Sequence, residues 1–120
     1  MEVICAAESF ATLGHPGRLA VFRQLMRFAP RGVRPTEIAQ ALGLKPNTLS
    51  HRLSDLTGCG LARVQRDGRF LLYSVDLDRT EALLGYLALD LGQARPDLIA
   101  PITKERPMSG IFNVLFICSG

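Results

Sequence analysis

A chain of 120 residues, 48% apolar and 21% charged, is sized for one modest hydrophobic core and is too apolar for a disordered tail. No apolar run approaches the ~18 residues of a membrane span. The start, MEVICAAESF, carries Glu2 and Glu8 and no basic residue, which argues against a secretory leader and for a cytoplasmic address with no membrane partner.

Three widely spaced cysteines, Cys5, Cys59 and Cys118, do not make a disulfide framework. The net charge of +3 is unevenly spread. Residues 31–70 hold Arg31, Arg34, Lys45, Arg52, Arg63, Arg66 and Arg69 against Glu37, Asp55 and Asp67, a surplus of +4. Residues 71–100 carry −3. A basic middle beside an acidic segment points to a polyanionic partner.

In chain order, ICAAESFATLGH (4–15) reads as a helix, broken by Gly14-His15-Pro16-Gly17. Pro16 suits the first turn of the next helix, where its missing N–H costs nothing. That helix spans 17–29, with Leu19, Phe22, Leu25, Met26 and Ala29 at helical spacing. RPTEIAQALGL then reads as a short helix capped by Thr36, with Ile38, Ala39 and Leu42 inward and Gly43 closing it. KPNTLSHRLSDLTGCG reads as a second helix from Pro46 to Thr57, stopped by Gly58 and Gly60. Leu49, Leu53 and Leu56 form its buried stripe, leaving Lys45, Asn47, Thr48, Ser50, His51 and Arg52 off it.

LARVQR and RFLLYSV are short runs of β-formers around Asp67-Gly68, a hairpin signal flanked by Arg66 and Arg69. Asp76 opens a helix, DLDRTEALLGYLALDLGQA, with leucines on more than one side. In a domain this small, such a helix asks for a partner subunit. Residues 93–110, with Pro96, Pro101 and Pro107, read as a linker.

Two short helices joined by a glycine-containing turn, the second polar outside, make a helix-turn-helix. A basic hairpin directly after it makes a wing. The fold class is therefore mainly α with a small β-hairpin wing, a winged helix-turn-helix over residues 1–92. Asn47, Thr48, Ser50, His51 and Arg52 offer donors and acceptors of the kind that read base edges in the major groove. Arg66 and Arg69 suit the phosphate backbone. Thr36 and Lys45 complete the DNA-binding set. Winged helices also serve as protein-contact modules, but the basic recognition helix and wing favour double-stranded operator DNA.

LGHPGRLAVFRQL followed by TEIAQALGLKPNTLSHRLSDLTGCGLARVQRDGRFLLYSV resembles the ArsR/SmtB family of bacterial metalloregulatory repressors. The resemblance implies a homodimer joined through its first and last helices, bound to an inverted-repeat operator and released by an inducer. It also implies control of arsenic or metal resistance genes, with arsenite or another metal or metalloid as inducer and no required cofactor. Two sensor sites familiar in that family lack their residues here. PTEIAQAL has no cysteine, and the last helix has Asp76, Asp78, Glu81 and Asp90 but no histidine, a poor set for zinc. His15 reads as a cap or packing residue, and Cys5 and Cys59 remain as thiolate candidates for trivalent arsenic.

The last stretch, FNVLFICSG, resembles the first strand and loop opening of low-molecular-weight phosphatases and arsenate reductases, with Cys118 at the nucleophile's position. The loop arginine is absent, so no catalysis is expected of this chain. On this reading residues 111–120 begin a second domain that is cut short. The alternative function is the regulatory half of an arsenate reductase or phosphatase fusion.

Overall fold

The computed structural model describes residues 1–104. These divide into two units, Met1–Leu83 and the chain from Leu84 onward. The expected second-domain opening at 111–120, with Cys118, lies outside the described residues, as does the end of the expected linker.

The first unit runs α1 (Val3–Leu13), α2 (Pro16–Phe28), α3 (Pro35–Leu42), α4 (Pro46–Gly58), β1 (Ala62–Asp67), β2 (Phe70–Val75) and the start of α5 (Leu77–Gly85). Its core is a set of aliphatic side chains given up by each element: Val21 and Leu25 from α2, Ile38 from α3, Leu49, Leu53 and Leu56 from α4, and Leu61, Ala62 and Val75 from the wing. On α2 the buried pair is Val21 and Leu25, while Leu19 and Met26 stay exposed although their spacing suggested core. A 3.6-residue period admits either neighbouring stripe, and contacts with α3 and α4 select the one that is filled.

Local chemistry fixes where the helices start. Pro16, Pro35 and Pro46 each take the first position of their helix. His15 caps α2: its Nδ1 accepts from the backbone N–H of Gly17 at 3.0 Å and of Arg18 at 3.4 Å. Thr36, expected to cap α3, instead sits inside the first turn. Arg34 is the capping residue and makes no side-chain cap bond.

Gly43 ends α3 at φ +66°, with the N–H of Leu44 donating to the carbonyl of Ala39 at 3.0 Å. This turn sets the angle between α3 and α4. In the hairpin, Asp67 pairs with Phe70, so the two turn residues are Gly68 and Arg69, one place later than the Asp67-Gly68 dipeptide suggested. Gly68 takes φ +64° and Arg69 keeps an ordinary negative φ, as at the head of a type II′ turn. Val33 exchanges two backbone hydrogen bonds with Tyr73, at 2.8 and 2.9 Å, and so ties the edge of the wing to the chain leading into α3.

In the second unit, the helix opened by Asp76 continues beyond α5 as a π-helical segment, Tyr86–Leu91, whose last bond runs from the N–H of Gly92 to the carbonyl of Leu87. Gln93 and Ala94 follow at φ +55° and +53°, a region L-residues seldom occupy, and stop the helix. Residues 96–104, within the expected linker, are then helical (α6, Pro96–Lys104). Pro96 opens α6 without cost, and Asp97 faces its positive end. Arg95 pairs with Asp97 at 2.7 Å and holds its carboxyl below the usual carboxylate range. No helix among the described residues is long and apolar enough to cross a membrane.

Two glycines test this account of the turns. Gly43→Ala forces an alanine into the left-handed region and should lower unfolding free energy by about 1 kcal/mol. Gly58→Ala, at the end of α4 with open space around it, should raise it by about 0.5 kcal/mol. Urea midpoints for the two variants check both signs.

Candidate nucleic-acid interface

The polar surface of α4 follows from what the helix must bury. With Leu49, Leu53 and Leu56 at or below 2% exposure against the core, a period of 3.6 turns Asn47, Ser50, His51 and Ser54 to the opposite side, where all four are exposed. Lys45 is exposed at the helix start and Thr48 is half-buried. Ser54 belongs to this outer face. It lies in the C-terminal half of the helix, beyond the donors and acceptors expected near the helix start.

Arg52 has a different setting. A methyl group added at Gly17 would lie 2.5 Å from its Nε, so the guanidinium packs over the start of α2, and that Nε is buried with no hydrogen-bond partner. The helix therefore has an outward polar face and a flank turned to α2. Asp55, on that flank, pairs with Arg18 at 3.3 Å.

The wing stands beside α3 and α4. From Arg63 to Asp67, β1 is exposed on both faces. Side chains alternate along a strand, so Arg66 shares a face with its cross-strand partner Leu71 and with Tyr73. Leu71 and Tyr73 line a cleft of about 220 Å³ whose other walls include Pro35 and Thr36 of α3 and Pro46, Leu49 and Ser50 of α4. The face carrying Arg66 is thus the one turned toward the helix pair, and Arg69 stands at the hairpin tip.

Arg34, absent from the sequence-based set, lies between these elements. Its guanidinium is 4.4 Å from the centre of the Phe70 ring at the base of the tip and 3.8 Å from Glu37 in the first turn of α3. Its signal in the sequence was only a basic residue before a proline, since the aromatic partner is thirty-six residues downstream.

The comparisons agree with this geometry. A helix-turn-helix domain model matches residues 13–65. Over 100 residues the chain is 30% identical to the HTH-type transcriptional regulator Rv0081 of Mycobacterium tuberculosis, spanning 83% of this chain and 86% of that one. The structure matches, at a TM-score of 0.58 and 26% identity, the homodimeric winged helix-turn-helix DNA-binding domain of Mb0332 from Mycobacterium bovis, described as a possible ArsR-family regulator; 72% of this chain and 80% of that one are covered. This chain is a winged helix-turn-helix transcriptional regulator of the ArsR type. A shorter match, 36% over 69 residues, links it to the regulator NmtR of Mycobacterium tuberculosis, covering 58% of this chain and 55% of that one.

These relatives of the ArsR-type chain are DNA-binding regulators and not enzymes, and the fusion-enzyme alternative finds no support among them. Cys5 on α1 and Cys59 after α4 are half-buried, and the Cys59 thiol donates to the carbonyl of Leu56 at 3.5 Å. Among the described residues no three of His, Cys, Asp and Glu gather as metal ligands.

The Arg34–Phe70 contact holds the wing tip to the first turn of α3. A double-mutant cycle of Arg34→Gln with Phe70→Leu should show a coupling of about 0.5–1 kcal/mol in unfolding free energy, as expected of an exposed cation–π pair.

Proposed function

We propose that this regulator represses transcription by binding operator DNA as a homodimer, with α4 in the major groove and the wing on the phosphate backbone. The observation that carries the reading is the outward face of α4, on which Asn47 and His51 are exposed opposite the buried leucine stripe, with Ser50 exposed at its side. An α-helix fills the major groove, and amide, hydroxyl and imidazole groups on its outer side can pair with base edges. Lys45, Arg66 and Arg69, with Thr36 at the start of α3, supply phosphate contacts that fix register without reading sequence.

Dimer formation is supported by the apolar surface left open on α1 and on the helical stretch from Leu84 to Leu91. Helix α1 buries only Ala6 and Ser9 fully and leaves Val3 and Ile4 nearly 70% exposed. Leu84, Leu87, Leu89 and Leu91 are each about half exposed or more. Pairing of such faces between two copies gives two recognition helices and so an inverted-repeat site. An inducer would act by shifting the dimer to a form in which the two helices no longer fit successive grooves. Arsenite at Cys5 or Cys59 would need thiolates from both protomers, since a single chain supplies no cluster among its described residues.

The test is anisotropy of a duplex from the gene's own upstream region, at several salt concentrations. Asn47→Ala and His51→Ala should each cost about 1–3 kcal/mol of discrimination between that duplex and mixed-sequence DNA. Arg66→Ala should weaken both duplexes alike and lower the slope of log affinity against log salt by about 1. Salt-independent binding, or no preference for the upstream duplex, would contradict the reading.

A further inference from the structure

Arg18 stands in the first turn of α2, at the positive end of a helix, where a cation is disfavoured. Its side chain does not extend into solvent. It turns back to the end of α1, where Nε donates to the carbonyl of Thr12 at 2.7 Å, a group left open as α1 ends, and Nη2 to that of Ala11 at 3.4 Å, which also accepts from the Gly14 N–H. The third nitrogen, Nη1, reaches Asp55 on the recognition helix at 3.3 Å. One planar guanidinium thus joins the end of α1, the start of α2 and the flank of α4. A second contact reinforces the join one turn earlier on α4, where Arg52 packs over Gly17.

Asp55 needs its own explanation. It is an anion on a helix whose outer face is offered to DNA, two turns beyond Asn47. By charge alone it opposes binding. We propose that Arg18 is a positioning residue for DNA recognition: paired with Asp55, it fixes how α4 is rotated and seated relative to the end of α1, and so where Asn47, Ser50 and His51 stand. The proposal deepens the operator-binding reading and rests on it. Because α1 carries one of the open apolar faces, the same join would pass a change at the dimer surface to the reading helix.

Two substitutions separate this role from simple electrostatics. Asp55→Ala removes a negative charge beside DNA, so charge alone predicts tighter binding. Arg18→Lys keeps the charge but replaces a three-nitrogen fork with a single ammonium that cannot serve Thr12, Ala11 and Asp55 together, so charge alone predicts no change. The pair is partly exposed, with side chains 24% and 49% accessible, and its loss should leave both variants folded, which thermal unfolding verifies.

With the full chain and the upstream duplex as probe, positioning predicts that each variant loses about three- to tenfold in affinity for that duplex. Affinity of Arg18→Lys for mixed-sequence DNA and its salt slope stay unchanged, and the double variant is no worse than the weaker single one. Either variant binding the upstream duplex as tightly as the wild type, or more tightly, overturns the proposal. Wild-type protein with no sequence preference at all would bring down the operator reading and this inference together, and is told apart by needing no variant to see it.

Discussion

The arrangement depends on the burial of three leucines, Leu49, Leu53 and Leu56, along one side of α4. Burying each of them is worth about 1.5–3 kcal/mol, more than any single polar contact on the helix. That seam decides which way the helix faces. Once it is seated against α2 and α3, the side chains opposite it have no core to join and stand in solvent as a row of donors and acceptors. The proposed DNA-reading surface is in this sense the remainder of the packing problem, and its residues are free to be chosen for base contact.

What surrounds α4 then limits its remaining freedom. The left-handed Gly43 sets the turn from α3, Arg18 and Arg52 hold its flank to the α1–α2 corner, and Val33 and Arg34 bind the wing to the entrance of α3. These contacts are individually small. They matter because base readout depends on placement to within a fraction of the groove width, whereas the global fold tolerates more. The basic side chains divide accordingly: Lys45, Arg66 and Arg69 remain exposed, while Arg18, Arg34 and Arg52 are engaged within the protein.

That division marks the border of what could be read from the residues alone. The helix-turn-helix and the hairpin were legible because leucine periodicity, glycine and proline punctuation, and a switch to β-formers are local signals. Arg52 could not be assigned to the α2 contact, nor Arg34 to Phe70, because each partner is some thirty residues or more away in sequence. The choice of Val21 over Leu19 as the buried position of α2 also needed the third dimension. The helix over 96–104 was not legible for a different reason: proline is tolerated in the first turn, as at Pro96, but inside a helix, as at Pro101, it ordinarily signals a break.

The central claim, that the outer face of α4 and the wing form the DNA-contacting surface, is tested most directly by backbone amide shifts of labelled full-length protein titrated with the upstream duplex. The account predicts the largest changes over residues 45–54 and 66–70, with those of Val3–Leu13 small. Changes centred on α1, with the α4 amides unmoved, would contradict it.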